Sequence, residues 1–454
     1  MYPMSKPRIL IGSPIRQTPV ILKLFLESLR WLEGEAYVID YVFVDDNTDP
    51  LSSVMLRQFA ASTGRTKLLT HEAAVGSWKA APGGGHLWLE ETVWKVAAMK
   101  DRILAMGQEC GYTHVFLADS DLLFHPHTLT QLLQAGQDVV STIYWTRWQV
   151  GTTPMPQVWL HGEYETYPLI RQQETSEHDR RLASQRFFAE LRVPGLYEVG
   201  GLGACTLISR QAIERGVSFR EIPNLSYWGE DRHFCVRAAA IGISLFVDTT
   251  YPAYHIYREE ELVGAAAFIA AKGDTQRLPV ESADAYGRGV ELLEYGFELL
   301  AMEAWQESWD KREGDARQQV QLLLELDAHY GRQGDMMRGR SLLLEGLAEL
   351  PYAELHCRLG SKCMDNGNWQ EAAAWFRAAV GTPRPDDWER SIDVSSWTWK
   401  PYIQLCVCTL QLGDPQRAFE YNERGLMFEP DHPTMLANRE ALLAMLAEQR
   451  STTA

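Results

Sequence analysis

The chain has 454 residues, of which 46% are hydrophobic and 23% charged. These are the proportions of an ordinary globular protein; they exclude wholesale disorder and allow two to four domains at roughly 100–200 residues each. A formal net charge of −17 sets the surface against phosphate backbones and excludes general nucleic-acid binding, leaving room for a local basic pocket that takes one small phosphate ligand. Cys110, Cys205, Cys235, Cys357, Cys363, Cys406 and Cys408 form no CxxC pair and no zinc-ribbon spacing, so they read as reduced buried thiols in a cytoplasmic protein. The start MYPMSKPRILIG lacks the basic and apolar regions of a secretory signal. No apolar run approaches the length of a membrane span.

The first half alternates strand and helix patterns. Arg8–Gly12 is a short apolar run ending in Gly-Ser-Pro, a strand followed by a loop. From Pro19 to Leu32 the apolar residues Val20, Leu24, Phe25 and Leu29 recur at helical spacing. Tyr37–Val44 is β-branched and aromatic and stops at the turn cluster Asp45-Asp46-Asn47. Glu91–Met106 reads as a helix, Thr113–Ala118 as a strand stopping at Asp119, His127–Gln134 as a helix and Asp138–Ile143 as a strand. This alternation predicts a mostly parallel sheet covered on both faces. Ligands of such sheets bind beyond the carboxyl ends of the strands. Ser13 to Arg16, Asp45-Asp46 and Asp119-Ser120-Asp121 would then share one edge. Residues 161–195 are polar and read as an irregular or lid-like excursion, and residues 259–315 as a charged helical bridge.

The second half carries a repeat. Gly334, Gly367 and Gly413 are each followed by Asp or Asn, preceded by a leucine at −8 (Leu326, Leu359, Leu405), and followed by small residues at +5 (Gly339, Ala372, Ala418) and +12 (Gly346, Ala379, Gly425). Prolines at or beside +17 mark the next turn. This is the layout of tetratricopeptide repeats, pairs of antiparallel helices closing through small residues. The spacing of the last two anchors predicts an insertion of about a dozen residues around Pro385 to Trp399, against an ordinary period of ~34.

Three stretches of the first half carry chemistry. In FLADSDLLFHPHTL, Asp119 and Asp121 leave a buried strand one residue apart, and residues two apart in extended chain point to one side. Two such carboxylates suit a hard divalent cation that keeps positions for substrate phosphates; the alternative is a turn or cap. In YWGEDRHFCVR, Glu230 and Asp231 follow a glycine where helical spacing begins. They read either as first-turn acidic residues or as a general base for an acceptor hydroxyl. In VDTTYPAYHIY, His255 sits among aromatics at a strand end, a structural residue or a nitrogen ligand for Mn²⁺. Gly200, Gly201 and Gly203 precede a strand, where glycine permits a close backbone approach to a ligand or a bulge.

An ILIGSPIRQ strand, a strand ending VDD, a strand ending in DSD, a Gly-rich strand, a GED-x-x-F-x-x-R segment and a late histidine occur in that order over residues 7–258. This ordered set resembles the GT-A-fold glycosyltransferases of the family 2 type. With the repeats attached, the chain resembles bacterial two-part enzymes in which a GT-A domain precedes tetratricopeptide repeats, some of which modify peptides or proteins. The resemblance implies an α/β, doubly wound, mixed but mostly parallel sheet over residues 1–258, a helical linker over 259–315 and an all-α repeat domain over 316–450. It implies that Pro14, Ile15, Arg16 and Asp45 contact the base and ribose of a nucleotide-sugar donor, and that Lys100 or Arg102 meets base or phosphate. Asp119 would reach ribose or metal, with Ser120 among the donor-binding residues; Asp121 and His255, with Asp119, would hold Mn²⁺ or Mg²⁺, and Gly201 and its neighbours would line the sugar pocket. Asp231 would be the base, with Glu230 beside it on donor or acceptor. Trp145, Trp148, Gln157 and Trp159 are candidate walls for sugar or acceptor. In place of the usual Ala-Arg-Asn-x-Gly helix stands Ala98-Met99-Lys100-Asp101-Arg102.

The function expected is inverting, metal-dependent transfer of a sugar from a nucleotide sugar, UDP-linked in the simplest case, to an acceptor that includes peptide or protein side chains. The repeats would present that acceptor or hold a homodimer together. The alternatives are a nucleotidyltransferase, for which GSPIRQTP is a poor triphosphate loop, and a catalytically inactive scaffold.

Overall fold

The computed structural model describes residues 6–32, 34–70, 79–80, 86–87, 89–149, 151–162, 164–169, 174–226, 229–274, 282–386 and 390–452. The chain divides into two compact units, Met1–Glu281 with Tyr295–Phe297, and Ser282–Glu294 with Glu298–Ala454.

The first unit is built on a sheet of ten strands among the described residues. Its main path runs Leu196–Val199, Leu245–His255, Val139–Thr146, Thr206–Ser209, His114–Leu117, Arg8–Ile15, Val38–Asp45, Thr66–Thr70. Arg8–Ile15 pairs in parallel with Val38–Asp45 and with His114–Leu117, and Leu245–His255 pairs in parallel with Val139–Thr146. Thr206–Ser209 and Leu196–Val199 run antiparallel to their neighbours. The sheet is therefore mixed and mostly parallel. Chain order moves outward in one direction from Arg8–Ile15 through Val38–Asp45, then resumes on its other side at His114–Leu117, which makes a topological switch point where ligands bind in such sheets.

The strands read as near-continuous apolar runs because both faces are covered. Ile9, Ile11, Ile15, Ile39, Tyr41 and Phe43 share one buried cluster with Phe25, Leu29, Leu56, Phe59 and Leu129 from the helices Pro19–Trp31, Pro50–Thr63 and Thr128–Gln134. The alternate residues Leu10 and Gly12 face the helix Glu90–Glu109. A Cβ on Gly12 would lie 2.2 Å from Ile103 Cγ2, and one on Gly107 would lie 2.3 Å from Val115 Cγ2. Two glycines thus seat this helix directly on the strands. Residues 161–195, expected to be irregular, contain the helix Glu177–Glu190, capped by Ser176. The expected bridge 259–315 is shared between the units: Glu259–Glu261 and Leu262–Ala270 lie in the first, Ala285–Glu294 and Glu298–Lys311 in the second, and the turn Tyr295–Phe297 between the last two belongs to the first. Within the first unit Phe297 packs near Phe188, and the Arg192 guanidinium lies over Tyr295.

The second unit is all helical. Ala316–Arg332 pairs with Met336–Glu349, Ala353–Asp365 with Trp369–Gly381, and Lys400–Gln411 with Pro415–Leu426; Pro433–Thr452 packs on the last of these. Gly334, Gly367 and Gly413 turn each pair at φ 79°, 70° and 85°, values open to glycine without steric penalty. Asp335, Asn368 and Asp414 cap the second helices through their side chains. Leu326, Leu359 and Leu405 are fully buried. The small residues are close-contact sites: a Cβ on Gly346 would meet Leu323 at 2.4 Å. The insertion holds a short 3-10 helix, Val394–Trp397, whose Trp397 enters the core. The hairpin Ala285–Glu294 and Glu298–Lys311, which the repeat pattern does not announce, precedes the three pairs. Among the described residues, no helix is long and apolar enough to cross a membrane.

Candidate functional site

The site lies at the carboxyl ends of the parallel strands. Gly229 enters the helix Glu230–Ala240 at φ 102°, where a side chain would be strained, and places Glu230 and Asp231 in its first turn. This helix packs against Glu90–Glu109, and its Cys235 accepts a hydrogen bond from Leu202 N, tying it to the Gly-rich strand. Lys100, seated by the two glycine contacts of its helix, reaches across: its Nζ lies 2.9 Å from Glu230 Oε1 and 3.0 Å from Asp231 Oδ1, and its side chain is 3% exposed. Burial alone would depress the lysine, but the carboxylates of Asp231, Glu230 and Asp119 outweigh it and hold the Lys100 pKa well above its ordinary value. Asp231 is pushed up to about 7: burial is the main cause, opposed by Lys100 and reinforced by Glu230 and Asp119. Asp119 is also raised by loss of solvent, with Lys100 opposing and Asp121 and Glu230 adding.

Asp121 reaches His255 through backbone pairing. Leu122–Leu123 forms a short antiparallel ladder with Tyr254–His255, and Ile256 N donates to Asp121 O at 2.9 Å. His255 Nε2 consequently lies 3.6 Å from Asp121 Oδ2. Thr146 Oγ1 is 2.9 Å from His255 Nδ1, and Gln157 Nε2 donates to the same hydroxyl at 3.1 Å. Among the described residues, no group of three or more His, Cys, Asp or Glu side chains is placed to hold a metal ion. The expected set of Asp119, Asp121 and His255 is therefore not closed; Asp121 and His255 are adjacent, and Asp119 is coupled to both by charge. The carboxylate oxygen is a donor type that suits Mn²⁺ or Mg²⁺ and the imidazole nitrogen one that suits softer ions than Mg²⁺; an ion held by this pair would take most of its ligands from substrate oxygens and water.

Gly203 lies between these groups. A Cβ there would stand 3.1 Å from Tyr144 Oη, 3.5 Å from Gln157 Oε1 and 3.7 Å from Asp231 Oδ2, so glycine lets these three polar atoms approach the backbone closely. Gly201 serves packing instead. Its would-be Cβ falls 2.0 Å from the Trp159 indole, a close contact beside the pair Trp159–Gly201.

Other expected donor residues divide. Asp45 Oδ1 accepts from Asn47 N, Asn47 Nδ2 and Ser53 Oγ, so that oxygen braces the strand-end turn. Arg16 lies 3.9 Å from Asp46, whose other oxygen takes Lys95 Nζ at 2.6 Å. Pro14 is half-buried and Ser120 buried on the same edge. Ile15 has its side chain fully enclosed in the core, and its carbonyl accepts from Asp46 N. Of Lys100 and Arg102, the helix turns only Lys100 toward the carboxylates. Arg102, on the other side, donates to Thr70 O at 3.3 Å. Among the candidate walls, Trp159 is buried against Tyr164, Trp145 lies beneath the Arg192 guanidinium, and Trp148 is exposed beside Tyr257. Tyr227 and Trp228 lie outside the described residues.

Sequence reasoning missed Tyr144 and Thr146. Both stand at the end of a strand that runs three residues past Ile143, and the aromatic and β-branched YWT that continues the run was the available signal.

No family model matches the sequence, and no curated protein matches it. Among solved structures, the chain is similar to MamA MSR-1 (15% identity, 37% of this chain and 87% of that one, TM-score 0.27), to MamA AMB-1 (16%, 37% and 83%, 0.28) and to pilF of Pseudomonas aeruginosa (17%, 36% and 68%, 0.28). These are tetratricopeptide-repeat proteins.

Proposed function

We propose that the first unit is a GT-A-type glycosyltransferase that moves a sugar from a nucleotide-sugar donor, UDP-linked in the simplest case, to an acceptor nucleophile. The reading is carried by one observation: at the carboxyl edge of a mostly parallel sheet, a carboxylate raised to about 7, Asp231, shares a charge-coupled cluster with the Asp121–His255 pair. A base needs a pKa near working pH and a path to its proton. Asp231 keeps 28% of its side chain exposed, while Lys100 anchors its Oδ1.

In this reading Asp231 takes the proton from the acceptor hydroxyl as its oxygen attacks the anomeric carbon, and the nucleoside diphosphate leaves from the opposite face with inversion. Asp121 and His255, with Asp119 beside them, would hold Mn²⁺ or Mg²⁺, whose charge would neutralise the departing diphosphate. Glu230, pinned by Lys100, faces the sugar or the acceptor. The repeats of the second unit offer a polypeptide acceptor a surface or pair two copies of the chain, and the protein acts in the cytoplasm.

The test is incubation with a panel of nucleotide sugars, with and without Mn²⁺, reading released nucleotide. Turnover that needs the metal and is lost in Asp121→Ala and Asp231→Asn supports the assignment. Full turnover in both variants removes it, and absence of metal-dependent UDP binding by the intact protein favours a scaffold.

A further inference from the structure

Arg192 is a half-buried cation that the proposed function does not use. It follows the helix Glu177–Glu190, one residue past the Leu191 cap. Its guanidinium carbon lies 3.5 Å from the centre of the Trp145 ring and 5.0 Å from that of Tyr295, all within the first unit. Trp145 also meets Phe188 at 6.5 Å, edge to face. The surroundings of the charge are therefore aromatic carbon.

Among the described residues, none gives this guanidinium a hydrogen bond or an ion pair, and its Nε is buried without an acceptor. The polar groups next to it in the chain are taken. Leu191 N donates to Phe187 O, Arg192 N to Ala189 O and Val193 N to Glu190 O. Val193 O accepts from Thr249 Oγ1 at 2.6 Å and from the Tyr197 hydroxyl at 2.9 Å. Loss of water pushes the Arg192 pKa down to about 10, and only Tyr295 opposes it; no carboxylate does. The group still carries its charge at neutral pH. A cation over an aromatic ring recovers part of its lost hydration, but a desolvated charge is normally paired. Elsewhere in the chain Arg312 has Glu345 and Glu349, Arg340 has Glu371 and Arg439 has Glu423. With 60 acidic side chains against 43 basic ones, anions are not scarce in this protein. The missing partner at Arg192 is one that the chain itself does not supply.

We infer that Arg192, framed by Trp145 and Tyr295, is the seat of a small oxyanion, a carboxylate or a phosphate group. Stacking fixes the plane of the guanidinium, and a fixed planar fork is what bidentate recognition of such oxygens requires. The seat is distinct from the site of Asp231 and His255. Successive side chains of a strand point to opposite faces, and Thr146, the residue after Trp145, turns to His255. The inference therefore does not depend on the proposed function.

The experiment uses the full chain, with sodium phosphate and sodium acetate as probes and sodium chloride at matched ionic strength as the blank. Nitrogen-15 NMR follows the Arg192 Nε–H, identified by its disappearance in Arg192→Lys. Thermal unfolding of the first unit in the same salts compares the native protein with Arg192→Lys and Arg192→Met. The expected result is a saturable shift of that resonance with phosphate or acetate beyond the effect of chloride. The same anion should raise the unfolding temperature of the native protein. Arg192→Lys should need about tenfold more anion, the loss of one charge-assisted hydrogen bond, and Arg192→Met should gain nothing. Which probe saturates at the lower concentration separates a phosphate-bearing ligand from a carboxylate-bearing one. No shift beyond chloride with either probe, or equal stabilisation of the native protein and Arg192→Met, overturns the inference and assigns the guanidinium to holding the two rings. If Arg192→Met does not fold, the native resonance and Arg192→Lys decide the question alone.

Discussion

Removing Lys100 tests the electrostatics of the site without any substrate. In Lys100→Met the chain keeps a side chain of similar length, but Glu230 and Asp231 lose the ammonium at 2.9 and 3.0 Å. At an effective dielectric of about 20, each contact carries a gross attraction of roughly 6 kcal/mol. Desolvation of the three ions offsets much of that sum, and stripping one partner from a buried ion cluster costs about 3–5 kcal/mol. The cost depends on pH with a definite sign. Asp231 and Asp119 are already raised above their unfolded values, and they rise further without the cation. The folded state then holds more protons than the unfolded one, so stability falls as pH increases. The loss is expected to be largest at pH 8 and to shrink toward pH 5.5, by roughly 1.4 kcal/mol for each additional unit of pKa separation. Because the chain has two units, a single unfolding transition is a poor probe. Amide hydrogen exchange in Glu90–Glu109 and His114–Leu117 at both pH values reads the affected elements directly. A loss under about 1 kcal/mol, or one larger at pH 5.5 than at pH 8, would refute the reasoning.

Three further outcomes are expected. If Asp231 is the base, turnover per bound substrate is low below its value of about 7, rises through that pH as the carboxyl loses its proton and levels off above it; a flat profile from pH 6 to 8 counts against the assignment. Gly12→Val should push the helix Glu90–Glu109 off its strand, because the added carbon meets Ile103 at 2.2 Å, costing about 1–3 kcal/mol in urea unfolding of the first unit; unchanged unfolding would show that the helix yields freely. Asn368→Ala removes the side-chain acceptor of Glu371 N and should cost about 1 kcal/mol in thermal unfolding of the second unit, with a cost near zero refuting the role of this cap.

The repeat was legible because it is local. Gly334, Gly367 and Gly413 with their Asp or Asn partners are turn-and-cap pairs whose chemistry needs no distant contact, and each took the position its spacing indicated. The parallel strands were legible for a related reason: burial on both faces leaves unbroken apolar runs. What the sequence concealed is what only pairing creates. Nothing near Lys100 in the chain announces Glu230, 130 residues away, and Arg102 had an equal claim until the helix turned it toward Thr70. Ile15 looked like loop because Gly-Ser-Pro interrupts the strand pattern, yet the strand continues through it. The Thr146–His255 contact depends on Val139–Thr146 and Leu245–His255 lying side by side, with a register shift between Asp248 and Ala253, which no local pattern encodes.

The turn Tyr295–Phe297 has a practical consequence for anyone dissecting this chain. The polypeptide passes from one unit to the other, returns for three residues and leaves again. A fragment ending at residue 258 or 281 would therefore lack the rings that lie beside Phe188 and under the Arg192 guanidinium, leaving an oily scar prone to clumping. Excising the helical part by a single cut is equally compromised, and a fragment that keeps residues through 297 is the shortest that retains every piece of the first unit.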